Sequence, residues 1–140
     1  STVFDIFRIK EALGQDFAVY SGSDELAVSG LAFGADGIIG STYNVLTPLF
    51  LKLNAQMAAG DVIAARETQK IANKLIFVLL ARGLMPSLKA TLTLGGRVDG
   101  GISRRPFFRL TDEQQEALKA EYRAIKAAHG DLGLDFLKAL

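Results

Sequence analysis

The chain has 140 residues, 49% of them hydrophobic, with 16 basic and 15 acidic side chains and a formal net charge of +1, the size and makeup of one ordinary globular domain. Basic residues are scattered, so there is no electrostatic footprint for nucleic acid or for an anionic membrane surface. The absence of cysteine excludes disulfides, thiolate nucleophiles and zinc–sulfur centres.

Val3, Ile6, Ile9 and Leu13 recur at helical spacing and Gly14 follows them, which predicts an amphipathic helix over 3–13. Phe17 to Tyr20 is a compact apolar run with a β-branched residue and two aromatics, bounded by Gly14 and by Ser21-Gly22; it reads as a buried strand. Asp24 and Glu25 then open a helix carrying Leu26, Ala27, Leu31 and Ala32 to a stop at Gly34, and Gly37 to Gly40 reads as a second short buried strand. This helix–strand–helix–strand alternation with buried strands points to parallel α/β architecture.

After Asn44 the alternation stops. Thr47-Pro48 reads as an N-cap and first-turn proline for a helix ending near Ala59, closed by Gly60. Asp61 caps the next helix, which reaches Arg82; its stretch 71–81 is apolar on nearly every side and is expected to be enclosed by other elements. Pro86 starts a shorter helix through Ala90 to Leu94, ended by Gly95-Gly96. The segment 97–110 shows no periodicity. Thr111 and Gln114 form a capping box for a helix through Leu118, Tyr122 and Ile125 to Gly130, and 131–140 reads as a further short apolar helix or docking segment. The longest apolar run, 75–81, is too short to span a bilayer, and residues 1–20 show no basic n-region followed by an apolar core, so the chain is expected to be cytoplasmic.

The run SGSDELAVSGLAFGADGIIGSTYN (21–44), with ARGLMPSLKATL (81–92) and RRPF (104–107), resembles the C-terminal part of the N-acetylneuraminate lyases, within the dihydrodipicolinate synthase superfamily of pyruvate-dependent Schiff-base aldolases. The likeness runs from Phe4 to about Lys126. It implies an α/β fold, the C-terminal portion of a (β/α)8 TIM barrel: residues 1–60 would be the last helix and last two βα units, and 61–140 the C-terminal helical extension. By the same resemblance Gly22, Asp24, Glu25 and Ser41 match positions that hold the polyhydroxyl tail of a sialic acid, whereas the Schiff-base lysine and the proton-transfer tyrosine are expected outside this chain. GSTYN favours the lyase branch over the synthases, where an SVTAN-like segment is more usual. No cofactor and no metal is implied. Expected partners are a keto sugar acid, the N-terminal barrel segment and further copies of the chain, as a homo-oligomer. Other activities of the superfamily, as a dihydrodipicolinate synthase or a 2-keto-3-deoxy sugar acid aldolase, stay open, as does a non-catalytic half-barrel that only oligomerises.

Each candidate also has a structural reading. Carboxylates such as Asp24 and Glu25 suit the first turn of any helix, where they oppose the dipole at a gain of roughly 0.3–1 kcal/mol. Ser41, Thr42 and Asn44 could cap the turn into the next helix. Lys10 falls within the first helix, whose surface offers neither the burial nor the positive neighbour that a neutral, nucleophilic lysine needs. Lys89 reads as a contact to a backbone or carboxylate, Arg104 and Arg105 as surface or subunit-contact residues, and His129 as a structural residue at a helix C-terminus. GADGIIG lacks the spacing of phosphate-binding loops.

Overall fold

The computed structural model describes residues 3–140. Helix α1 (Val3–Leu13) leads into β1 (Tyr20–Ser21), a 3₁₀ turn (Asp24–Leu26), α2 (Ala27–Ala32), β2 (Gly37–Ile38), and then α3 (Tyr43–Ala58), α4 (Val62–Leu80), α5 (Leu84–Leu94), α6 (Asp112–His129) and α7 (Asp135–Lys138). The strands pair in parallel, with Tyr20 opposite Gly37 and Ser21 opposite Ile38. The expected alternation and parallel pairing are therefore present.

Both strands are shorter and less covered than the sequence suggests. Pairing starts only at Tyr20, and Phe17 and Tyr20 are 50% and 60% exposed, as is Ile39 at 63%. Among the described residues the sheet has only these two strands, and successive side chains of a strand point to opposite faces, so Ser21 turns inward while Tyr20 turns out. Val19 is buried with Ile6 and Ala35, a small cluster that seats α1 on the sheet.

Most of the apolar mass lies elsewhere. A continuous cluster joins Ala27 to Leu46, Leu49 and Leu53 of α3, to Leu75, Ile76 and Leu79 of α4, and onward to Leu88, Leu118, Tyr122, Phe136 and Leu137. Helices α3 and α4 form an antiparallel hairpin, because Gly60 takes φ +78 and Asp61 accepts from Ala64 N at 3.0 Å to start the second helix. At the far end α4 and α5 meet at 109°. Helix α6 begins with the full capping box of Thr111 and Gln114 and stops at Gly130. The final segment is a docking helix: Leu134, Phe136 and Leu137 are all buried.

Three expectations are corrected. Helix α3 begins at Tyr43, so Pro48 lies in its second turn and Thr47 is no cap; the Thr47 hydroxyl donates instead to the Tyr43 carbonyl. Pro48 leaves the Asn44 carbonyl without its helical donor. The 71–81 stretch is enclosed along one broad face only, leaving Phe77 60% and Leu80 44% exposed. Lys10, read as a surface residue, is 6% exposed: its Nζ donates to the Gln15 carbonyl at 2.9 Å and pairs with Asp36 Oδ2 at 2.7 Å. The same Asp36 oxygen accepts from Val19 N at 2.7 Å, so one carboxylate fastens α1 and the entry to β1 to the entry of β2.

The hydrogen bond from Lys10, helped by that from Val19, holds the Asp36 carboxyl below its ordinary value of 3.8. A carboxylate with a depressed folded-state pKa adds stability that is complete above its unfolded value and is lost as pH falls through the folded one. Asp36→Asn is therefore expected to lower stability at neutral pH and to flatten the acid limb of the pH–stability curve below about 3.8. Denaturant melts of both proteins from pH 7 to pH 2.5 check this, and curves that stay parallel throughout would refute it.

Candidate functional site

Because β1 and β2 run parallel, the segments that follow them leave the sheet on the same side: Gly22 to Glu25 after the first strand and Ile39 to Asn44 after the second. Their relative position is set by Asp24. This residue is 6% exposed, and its Oδ2 accepts from Thr42 N at 2.9 Å and from the Thr42 hydroxyl. A buried carboxylate is costly unless its oxygens are bonded, and here the partners come from the other strand end, so satisfying the charge fixes the site. Gly40 makes the approach possible, since a methyl at its α-carbon would overlap the Asp24 carboxylate.

The turn is also gripped from behind. Gln69 Nε2 donates to the Asp24 carbonyl at 3.0 Å and Gln69 Oε1 accepts from Val28 N at 3.1 Å. Asn73 Nδ2 donates to the Glu25 carbonyl at 3.2 Å, and the two amides bond each other at 2.8 Å. Gln69 and Asn73 stand one turn apart on α4, so the helical part of the chain positions the strand-end turn directly. The sequence reading passed over both. The available signal was a pair of amide side chains, four residues apart, entering the apolar stripe of a helix.

The sequence-predicted residues come together but differ in what they can offer. Asp24 has one oxygen committed to Thr42, so it is chiefly a strut. Glu25 is half-buried, and only its backbone carbonyl is engaged among the described residues; its carboxylate can accept two hydroxyl donors. Gly22 is exposed, next to Ile39, and leaves the backbone of the first loop approachable. Ser41 is half-buried and its carbonyl takes the Asn44 amide at 2.8 Å, which caps the turn; among the described residues its hydroxyl has no partner. Tyr43, which the sequence analysis gave no role, joins this group: burial first, then the charges of Asp24 and Glu25, push its phenol well above the usual range. Two cavities, of about 350 Å³ and about 380 Å³, include none of Gly22, Asp24, Glu25, Ser41 and Tyr43 in their linings, although Asn44 lines the first.

The remaining candidates make contacts within the fold or lie on its surface. Lys89 Nζ donates to the Gly100 carbonyl at 2.7 Å, where the loop runs so close to α5 that a side chain on Gly100 would overlap the Lys89 backbone. His129 closes α6 beside Lys74, with Nζ to Nε2 at 3.2 Å. Arg104 and Arg105 are exposed.

Residues 1–126 match the sequence model of the Dihydrodipicolinate synthetase family. The chain belongs to this family. It is 43% identical over 119 residues to an N-acetylneuraminate lyase of Rhizobium meliloti, covering 85% of the chain and 39% of that protein. It is 36% identical over 119 residues to an N-acetylneuraminate lyase of Mediterraneibacter gnavus, covering 84% and 38%. Among solved structures, the wild-type sialic acid aldolase of Ruminococcus gnavus superposes with a TM-score of 0.84 at 32% identity, over 91% of the chain and 43% of that protein. The chain thus spans about two fifths of the length of these relatives. The dihydrodipicolinate synthetase family is built on the TIM barrel, and the paired parallel strands with their helices form part of one.

In a dihydrodipicolinate synthetase family member of this design, Gly40 should be as sensitive as any core residue. Gly40→Ala is expected to cost roughly 1–3 kcal/mol, as overpacking does, because Asp24 cannot swing away without abandoning Thr42. Chemical denaturation measures the cost, and a change within a few tenths of a kcal/mol would show the strut to be slack.

Proposed function

We propose that this chain forms the sugar-tail-binding wall of a Schiff-base lyase that cleaves N-acetylneuraminate to pyruvate and N-acetylmannosamine. One observation carries the reading: the two strand-end segments bearing Gly22, Asp24, Glu25 and Ser41 are tied together by the Asp24–Thr42 bonds in a chain whose relatives bear the name N-acetylneuraminate lyase. Barrel enzymes of this kind work at the C-terminal ends of their strands, which is where these residues stand. In this reading residues 1–60 are the last helix and last two βα units of the barrel, and 61–140 are the extension that braces them through Gln69 and Asn73.

The chemistry divides accordingly. Cleavage needs an iminium to withdraw electrons from the breaking carbon–carbon bond, and its lysine must be neutral when it attacks. Lys10 does not fit: it is buried, but its nitrogen is occupied by Asp36 and the Gln15 carbonyl. The catalytic lysine and tyrosine are therefore assigned to sequence beyond these residues. This chain's share is recognition, with Glu25 and Ser41 accepting and donating to vicinal hydroxyls, Gly22 giving access to backbone, and Asp24 holding the two loops in register. A second reading, a non-catalytic module that assembles with other copies, is favoured by the exposed Phe4, Phe7, Phe17, Tyr20 and Ile39 around the open sheet.

Incubated with pyruvate and borohydride, the 140-residue chain is expected to keep its unmodified mass; a stoichiometric adduct on one lysine would overturn the assignment of the nucleophile elsewhere. In the gene product at its full encoded length, Glu25→Gln keeps size and removes charge. It should lower kcat/KM for N-acetylneuraminate, relative to a keto acid lacking the tail, by roughly 1.5–3 kcal/mol. An unchanged substrate ratio with a lowered melting temperature would mean that Glu25 serves only the helix start.

A further inference from the structure

The segment 95–111 between α5 and α6 holds no helix or strand, yet it is pinned to α5. Lys89 Nζ donates to the Gly100 carbonyl at 2.7 Å, Gly100 N donates to the Thr93 hydroxyl at 3.0 Å, and Phe108 lies against Gly83. Connections of this length without secondary structure of their own are uncommon in a compact fold and are often built for binding. This one shares with α5 and α6 the walls of a cavity of about 380 Å³, large enough for a small metabolite. None of the strand-end residues lines it.

What the cavity can hold follows from its charges. Lys89, Arg109 and Lys119 line it against a single acid, Asp99. That acid does not neutralise them: its Oδ1 accepts from Gly101 N at 2.9 Å and lies 3.3 Å from the Thr93 hydroxyl. Lys89 is half-buried, but its ammonium meets a carbonyl, so two N–H donors and the charge itself stay uncompensated. Arg109 has no ionic or hydrogen-bond partner among the described residues. Lys119 is shared with Glu116 at 2.7 Å. Ser103, on the same wall, has an Oγ that is buried without a partner. Leu94, Ile102 and Phe108 make the rest of the lining apolar. Unspent donors and positive charge beside an apolar wall complement an anionic head joined to a hydrocarbon body.

We propose that this cavity is a second binding site, separate from the strand ends, for a small organic anion: a carboxylate or phosphate monoester whose head is held by Lys89 and Arg109 and whose body lies along Leu94 and Phe108. Lys89 then has two tasks, since the ammonium that fastens the segment at Gly100 also faces the ligand. An anion bound there would tie the segment to α5 more firmly than the Gly100 bond does alone. The proposal stands independently of the sugar-tail reading, because it uses no residue of the strand ends.

Titration calorimetry on the gene product at its full encoded length tests this with four probes: hexanoate, phenyl phosphate, hexan-1-ol and hexylamine. The two anions are expected to bind at millimolar concentrations, more weakly as sodium chloride is added, and the alcohol and the amine are not. Binding by hexanoate alone, or by phenyl phosphate alone, supports the site and fixes the head group as carboxylate or phosphate. Arg109→Gln removes a charge that makes no bond in the free protein, so the melting temperature should stay level while the affinity for the anion falls roughly threefold to tenfold, between the worth of an exposed ion pair and that of a charge-assisted hydrogen bond. Lys119→Gln should weaken binding less, because Glu116 already shares that charge. Hexan-1-ol binding as tightly as hexanoate would show an apolar hollow that ignores charge and would overturn the proposal. So would the absence of binding by both anions, or an anion affinity that Arg109→Gln leaves unmoved, which would place the anion elsewhere on the protein.

Discussion

Everything that the strand ends can do depends on one buried carboxylate finding its partners across the sheet. Asp24 reaches Thr42 through both the backbone N–H and the hydroxyl, and Gly40 clears its path. Two short parallel strands define each other's position poorly, because two residue pairs make a small ladder. The Asp24 bonds turn that ladder into a fixed angle. They also explain why GADGIIGSTYN is so poor in bulk: Gly37 lies under the Tyr20 ring and Gly40 under the Asp24 carboxylate, while Thr42 has its hydroxyl drawn away from capping α3. What looks like a weak core segment is a surface shaped to receive a neighbour's side chain.

The second support comes from α4. Gln69 and Asn73 reach the carbonyls of Asp24 and Glu25, so the part of the chain that reads as an extension is in contact with the turn that carries the candidate chemistry. The main cluster likewise runs without interruption from Ala27 to Leu137. A hydrogen-bonded amide pair in a helix is geometrically stiffer than apolar packing alone, because it specifies direction as well as distance. The helices therefore act on the strand-end turn through orientation as well as through packing.

Much of this was legible in the residues, and the failures have physical causes. Caps and stops were readable because they depend on local chemistry: Asp61, the Thr111–Gln114 pair, Gly60 and Gly130 each act within a few residues of themselves. Pro48 misled because proline is tolerated in the second turn as well as the first, and what decided the start of α3 was Thr42, held from eighteen residues away. Phe17 and Tyr20 misled because strand burial is a property of the whole sheet and not of the strand. Lys10 looked like a surface residue since its partner, Asp36, sits in another element. The grouping of Gly22, Asp24, Glu25 and Ser41 came from a motif-level resemblance, whereas Gln69 and Asn73 stayed hidden because their bonds to the strand-end turn span long sequence separations.

The docking of the last helix has a bearing on how the molecule is made. Leu134, Phe136 and Leu137 are buried, and Phe136 lies 4.6 Å from the Tyr122 ring, beside the Thr91 hydroxyl that Tyr122 engages at 2.8 Å. On the ribosome these side chains emerge after every element they seal. Until then the apolar faces of α5 and α6 are uncovered, so closure of this core is a late event of synthesis. An interruption before residue 134 would release a chain with the strand-end turn already clasped by α4 but with its opposite flank still sticky, a species suited to capture by chaperones or proteases.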